Sequence, residues 1–302
     1  MSEFQSVEVK ILEHISIGNI SNLKYTINGI YREITSDKCD EESWKIILNF
    51  KVDFRDTFII SYPRSGTTLT QHIHLSLLDS SFTGEMSMDY LDQKYAYLEY
   101  RTADYDGLRC ALEAEKPRLI KTHLDFRLFT RDFLRVKPKS LLVIRNPADC
   151  LISNYYFYKN PVLRHLLKSN FSIDEFFEKF FEKGLTSEGC WFEWQKHWLK
   201  YALSEEGKSH ILVVKYDDLV ADKKTVSKQI ADFLKLHFSE KIFQNIVNNS
   251  DISSMQKQLN SSFENFVRKG KVGQGKEELS RDQIIKIHKR LNEELAEYKH
   301  LF

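Results

Sequence analysis

Four short apolar runs constrain this chain most: Thr57 to Ser61 (TFIIS), Leu119 to Lys121 (LIK), Ser140 to Ile144 (SLLVI) and Ile211 to Val214 (ILVV). Each is continuous rather than alternating, the pattern of strands buried on both faces of a parallel sheet. Helix patterns lie between and after them. Ser172 with Glu175 forms a capping box ahead of SIDEFFEKFFEKG, where Phe176, Phe177, Phe180 and Phe181 recur at helical spacing and Gly184 supplies a stop. The aromatic stripe reads as core packing. Ser280 with Gln283 repeats the device before Ile284, Ile287, Leu291 and Leu295. Strand and helix signals in alternation predict an α/β fold, a central parallel sheet flanked by helices.

At 302 residues, 42% hydrophobic and 13% aromatic, the chain can bury a sizeable core and is not of disordered composition. No repeat, low-complexity tract or Pro/Gly/Ser linker divides it, so a single domain over residues 1–302 is expected. The region before about Lys51 reads as helix-like and carries no chemical signature. Lys plus Arg total 44 against 43 Asp plus Glu, without the basic excess of a nucleic-acid or anionic-membrane binder. No apolar run reaches the roughly 18 to 20 residues of a membrane span, and MSEFQSVEVK lacks a signal-peptide pattern. The cysteines Cys39, Cys110, Cys150 and Cys190 are scattered, without CxxC or Cys/His ligand spacing, so no zinc site or disulfide framework is expected. Reduced thiols in a cytoplasm fit this usage.

With charge balanced overall, anion chemistry must be local, and four segments supply it. SYPRSGTTL (Ser61 to Leu69) follows the first strand run and precedes a helix pattern with Leu69, Ile73 and Leu77, giving a P-loop-like strand, tight loop and helix. Gly66 lets the backbone approach an anion, Thr67 and Thr68 stand at the helix start, and Arg64 adds a permanent charge. GxxxxGK[ST] is absent, so this is not a Walker A loop. An ordinary turn with a solvated arginine is the plain alternative. In KPRLIKTHL (Lys116 to Leu124), the second run delivers Lys121, Thr122 and His123 to a strand end, where ligands of parallel sheets bind. A histidine there suits a general base, although a packing role is equally compatible with its position alone. His72, His74, His165, His197 and His288 fall in helix patterns and read as surface or packing residues.

The third run ends in Arg145, with Asn146 as N-cap, Pro147 at the first helical position and Ser153 about two turns further on. The fourth segment, FVRKGKVGQGK (Phe266 to Lys276), sets Arg268, Lys269, Lys271 and Lys276 among three glycines. Separately, these could be an ion-paired arginine and a solvated loop. Together, four anion-friendly stations suggest a ligand with several phosphates or sulfates, held at both ends.

These segments resemble the cytosolic sulfotransferases, which transfer a sulfuryl group from 3'-phosphoadenosine 5'-phosphosulfate (PAPS) and leave 3'-phosphoadenosine 5'-phosphate (PAP). YPRSGTT is similar to that family's YPKSGTTW, KTH to its catalytic strand end, RNPADCLISNYYFYK to its 3'-phosphate segment and RKGKVG to the start of its RKGxxGDWK motif. The match runs in the family's order from about Phe58 to Lys276. It implies the sulfotransferase fold, with Arg64, Ser65, Gly66, Thr67 and Thr68 on the 5'-phosphosulfate and Arg145, Ser153, Arg268, Lys269 and Gly270 on the 3'-phosphate. Tyr216, Ser250 and Met255 would lie along the adenosine, and Leu69 stands where the family stacks a tryptophan on adenine. Trp191 and Trp198 match a tryptophan-bearing helix of structural role.

Besides Leu69, three further departures stand out: Arg64 replaces the loop lysine, Ile252 replaces a nearby aromatic, and GQGK replaces GDWK. The dimer motif that follows in the family is poorly preserved in KEELSRDQII, so no dimer is inferred. The resemblance implies in-line displacement at sulfur, with His123 taking the acceptor's proton and Lys121 and Arg64 stabilising charge, without a metal. The acceptor is expected to be a small molecule with a hydroxyl or amine. The acidic and tyrosine residues between Phe82 and Tyr105 favour a polar or cationic one. A magnesium-dependent P-loop small-molecule kinase, or a catalytically silent PAP-binding protein of the same fold, are the alternatives.

Overall fold

Alternate residues of the four apolar runs feed two separate hydrophobic layers. In β4 (Thr57–Ser61), Phe58 and Ile60 join one layer and Ile59 the other; in β7 (Lys139–Ile144), Leu142 and Ile144 part in the same way from Leu141 and Val143. All are fully buried, which is why the runs are apolar throughout. The computed structural model describes residues 8–17, 20–27, 30–35, 41–79, 81–82, 87–101, 104–159, 171–182, 188–259 and 267–302. Within it, β4 and β7 are joined by β5 (Ala96–Tyr97), β6 (Leu119–Thr122) and β8 (Ile211–Lys215) in a parallel sheet of order β5-β6-β4-β7-β8. The expected strands are present with ends displaced by at most one residue. The edge strand β5 is too short to leave a periodic signal.

The segment before Lys51 differs from its helix-like reading. Strands β1 (Val9–Ile17), β2 (Ile20–Ile27) and β3 (Ile30–Thr35) form a separate antiparallel sheet, and among the described residues of this segment only α1 (Glu41–Leu48) is helical. Isoleucine-rich runs separated by Gly18-Asn19 and Asn28-Gly29 are hairpin signals that outweigh local helix pattern.

Helices cover both faces of the parallel sheet. α2 (Thr67–Leu78) packs in the layer with Ile59 and Val143, α3 (Met88–Lys94) leads into β5, and α4 (Gly107–Glu113) and α5 (Arg131–Val136) lie along the chain from β5 to β7. α6 (Pro147–Tyr158) and the helices Trp191–Ala202 and Arg281–Glu294 pack in the other layer. The capping boxes at Ser172 and Ser280 are both formed. The first opens a short helix, Ile173–Phe177, that continues as a wider turn over Glu178–Glu182. Phe176 and Phe177 stack on Phe180 and Phe181 within the core. Gly184, His165, Cys39 and Phe266 lie outside the described residues. At the opposite end of the sheet, Arg118 grips the buried Asp56 with Nη2 at 2.6 Å and also donates to the Ala111 and Lys51 carbonyls.

Burial on α2 has a titration consequence. His72 and His74 sit inside the protein, and loss of hydration pushes each imidazole from 6.5 down to about 4, with Lys223 adding to the effect on His72. Both are therefore neutral in the folded state at neutral pH. Below 6.5 the unfolded chain binds protons that the folded chain refuses, so stability is lost as pH falls from 6.5 towards 4. At about 1.4 kcal/mol per pH unit, each histidine should remove roughly 2 kcal/mol by about pH 5. Urea midpoints at pH 7 and pH 5 should fall by less in His72→Gln than in the parent chain. An equal fall would refute the contribution of His72.

Candidate functional site

The parallel register brings the polar ends of four strands to one edge of the sheet. Ile60 pairs with both Thr122 and Leu142, Ser61 with Val143, and Ile144 with Lys215, so Tyr62, His123, Arg145 and Tyr216 emerge together. The chain crosses from β6 to β7 over the top of β4, which opens the crevice of such sheets at this point.

The loop after β4 turns through left-handed backbone at Arg64 (φ 68°) and Gly66 (φ 105°) and enters α2 at Thr67. Gly66 caps the helix without a side-chain bond, and the Tyr216 ring lies so close that a Cβ at Gly66 would overlap its Cδ2. The helix start is thus presented with glycine and threonine amides, an arrangement that favours an anion. Ser65 Oγ lies 3.3 Å from Cys150 Sγ, whose thiol burial pushes up to about 11. Cys150 is consequently an uncharged packing partner at neutral pH.

His123 is fixed from three directions. Its Nδ1 lies 2.6 Å from the Ser61 carbonyl oxygen, and a carbonyl only accepts, so Nδ1 carries the hydrogen and Nε2 of the neutral ring carries the lone pair. Ser61 Oγ links Nδ1 (3.2 Å) to Thr67 Oγ1 (2.6 Å), tying the imidazole to the start of α2. The main chain beneath is held by Glu99, which accepts from the His123 amide and the Thr122 hydroxyl, and by Trp194 Nε1, which donates to the His123 carbonyl at 3.0 Å. Lys121 Nζ lies 4.1 Å from the centre of the Tyr97 ring and has no hydrogen bond or ion pair among the described residues. Burial lowers its pKa, while the nearby carboxylates of Asp92, Glu99 and Glu188 offset part of that effect.

On the other side of β4, three guanidiniums converge. Arg64 Nε donates to Ser153 Oγ at 3.1 Å and its guanidinium stacks on Phe157, while burial first, then repulsion from Arg145 and Arg268, pushes it down to about 10. Arg145 donates to the Arg64 and Lys271 carbonyls and lies over the Tyr216 ring at 4.3 Å. Asn146 caps α6 as expected. Arg268 stacks on Tyr156 at 3.9 Å. Gly270 (φ 58°) is covered by Ile252. Lys269 is the outlying member, half-exposed and paired with Glu278. Leu69, Tyr216 and Met255 share one apolar layer, with Ser250 buried at the end of the helix Glu240–Asn249.

Crowded like charges favour an anion among them, and unmatched donors favour an acceptor. Both are present: Arg145 Nε and Ser250 Oγ are buried without a hydrogen bond among the described residues. These residues fit a nucleotide carrying anionic groups at two positions. Among the described residues, no group of three or more His, Cys, Asp and Glu side chains is arranged to hold a metal ion, and no helix is long and apolar enough to cross a membrane. Cys110, Cys150 and Cys190 are free thiols.

The motifs missed the supports. Ser61, Glu99, Asp149, Trp194, Gln274 and Glu278 all hold a site residue or its loop, yet each contact is fixed by the fold. Ser61, Asp149 and Gln274 stand inside segments noted for their neighbours, and Trp194 on the helix noted for Trp191 and Trp198, whereas Glu99 and Glu278 carried no signal of this role. Trp198 Nε1 performs the parallel service for the Leu124 carbonyl at 2.9 Å.

Comparison with known proteins gives a consistent picture. A family model for the sulfotransferase domain matches residues 54–299. Rabbit (Oryctolagus cuniculus) sulfotransferase 1C2 is 28% identical over 248 residues, covering 78% of this chain and 81% of the relative. Among solved structures, mouse sulfotransferase SULT7A1 complexed with PAP superposes with a TM-score of 0.72 at 22% identity, covering 88% of this chain and 93% of that one. Retinol dehydratase in complex with androsterone and PAP gives 0.78 at 19% identity, covering 96% of each.

Gly66 offers a direct check on the loop geometry. Gly66→Ala should cost about 1–2 kcal/mol from left-handed backbone alone, and more from overlap with Tyr216. An unchanged urea midpoint would contradict the close approach of that ring.

Proposed function

We propose, for a chain that belongs to the sulfotransferase family and is a PAPS-dependent sulfotransferase, that His123 is the general base of transfer to a hydroxyl or amine of a polar or cationic small molecule. The observation that carries this reading is the hydrogen bond from His123 Nδ1 to the Ser61 carbonyl, which leaves the Nε2 lone pair for the acceptor's proton beside the N-terminus of α2. The donor supplies an electrophilic sulfuryl group, transferred in line, with PAP as the other product. Arg64, Ser65, Gly66, Thr67 and Thr68 would hold its 5' end, and Arg145, Ser153, Arg268, Lys269 and Gly270 its 3'-phosphate. Tyr216, Leu69, Met255 and Ser250 would flank the adenosine. Lys121 and Arg64 balance charge that gathers on the transferring and departing oxygens. Their burial strengthens that effect by excluding water. The family match over residues 54–299 supports one domain working as a unit, and the scattered cysteines support a cytoplasmic setting.

On the acceptor side of His123 lies a run of aromatic rings. Tyr97 meets the imidazole edge-on at 5.2 Å, Tyr100 stacks on Tyr97 at 5.0 Å, and Tyr105 follows at 6.1 Å from Tyr100. Asp92, half-buried and without a hydrogen bond or ion pair among the described residues, interacts electrostatically with Lys121, Tyr100 and Tyr105. Burial disfavours its charged form, and a cationic acceptor beside Asp92 would relieve that cost, with Lys121 already lying over the Tyr97 ring.

Two substitutions separate binding from chemistry. His123→Ala should keep PAP affinity and lose about 100- to 10,000-fold in sulfuryl transfer; undiminished turnover refutes the base assignment. Arg145→Ala should weaken PAP in calorimetry by about tenfold or more, the loss of a charge-assisted contact, and unchanged affinity refutes the 3'-phosphate assignment. In an acceptor screen with labelled PAPS, amine-bearing phenols should outperform matched neutral phenols, and Asp92→Asn should erase the difference. Sulfation of neutral phenols alone would overturn the cationic preference.

A further inference from the structure

We propose that Glu278, with Gln274 and Tyr156, is a positioning clamp that sets Arg268 in place for the donor's 3'-phosphate and thereby sets selectivity for a 3'-phosphorylated nucleotide. The clamp rests on the PAPS reading above and goes beyond it in naming what prepares the arginine. Arg268 Nη1 donates to Glu278 Oε1 at 2.8 Å, Nη2 donates to Gln274 Oε1, and the guanidinium plane lies 3.9 Å from the centre of the Tyr156 ring. Two in-plane acceptors and one ring face fix both position and tilt. Lys269 Nζ reaches the same Glu278 oxygen at 3.3 Å, so both basic residues of the segment share one carboxylate. Burial would raise the Glu278 pKa, but hydrogen bonds from Arg268, Tyr156 and Lys269 outweigh it and hold the group below the usual carboxylate range. The clamp is therefore charged at neutral pH.

The loop that carries these residues is anchored at its other end. Asp149, buried in the first turn of α6, accepts the Gly273 and Gly275 amides at 2.8 and 2.7 Å. Gly275 abuts the Ala148 backbone so closely that any Cβ would overlap it. Arg145 Nη2 adds a bond to the Lys271 carbonyl at 3.1 Å. Gln274 and Gly275 occupy the Asp-Trp positions of the motif this segment resembles; Gln274 supplies one acceptor of the clamp and Gly275 permits the close docking. Arginine side chains carry large rotamer entropy, and a guanidinium fixed in advance spares the ligand that ordering cost.

The test compares PAP with adenosine 5'-phosphosulfate, which lacks the 3'-phosphate, by calorimetry on the full chain. Glu278→Ala and Gln274→Ala should each weaken PAP by about tenfold and leave adenosine 5'-phosphosulfate unchanged. Glu278→Gln, which keeps an acceptor, should fall between parent and alanine variant. Melting curves establish that each variant is folded. Equal losses for both nucleotides would reduce the clamp to general loop support and overturn the proposal. Tighter PAP binding in Glu278→Ala would overturn it in the other direction, making Glu278 a competing counter-ion. If the parent chain itself bound adenosine 5'-phosphosulfate but not PAP, the donor reading would fall and the clamp with it.

Discussion

Repulsion among Arg64, Arg145 and Arg268 is the constraint around which the site is organised. Guanidiniums do not give up their protons to relieve crowding as a buried lysine does, so their mutual cost must be balanced by fixed dipoles and carboxylates. The structure does this piecewise. Arg64 has a serine and a ring face, Arg145 two carbonyls, a tyrosine and the buried Asp149 carboxylate at 3.8 Å, Arg268 a carboxylate, an amide and a tyrosine. Asp149 and Glu278 offset part of the charge on Arg145 and Arg268, and an anionic ligand would complete the balance.

The imidazole is governed by the opposite logic. His123 lies in a neutral setting of carbonyls, hydroxyls and rings, and one short bond to the Ser61 carbonyl decides which nitrogen holds the hydrogen. Because Ser61 ends β4 and begins the phosphate-loop turn, the same residue relates the base to the anion-binding helix start. A shift in either strand would disturb both.

Much of this was legible in the residues. TFIIS, SLLVI and ILVV announced strands because each is buried on two faces, YPRSGTT, KTH and RNPADC named their own places at strand ends, and RKGKVG stands in the loop before the helix Gln274–Glu278. The hairpins of β1 to β3 were misread because their pattern competes with local helix propensity. The supports were invisible for a different reason. Asp149 reads as an ordinary acid in the first turn of a helix, and nothing local reveals that its oxygens meet the amides of Gly273 and Gly275 far along the chain. Glu278 reads as one charge in KGKVGQGKEEL until folding lays Arg268 across it. Sequence marks residues whose type is demanded by chemistry and leaves unmarked those whose place is demanded by topology.

The order β5-β6-β4-β7-β8 divides labour across the sheet. Everything contributed by β7, β8 and α6 lies on one flank of β4, whereas the Tyr97 ladder and Asp92 come from β5 and α3 on the other; His123 stands at the border. Drift along the outer flank can therefore alter which molecule is accepted while the opposite flank stays as it is, so one scaffold supports diversification of clientele without redesign of its engine.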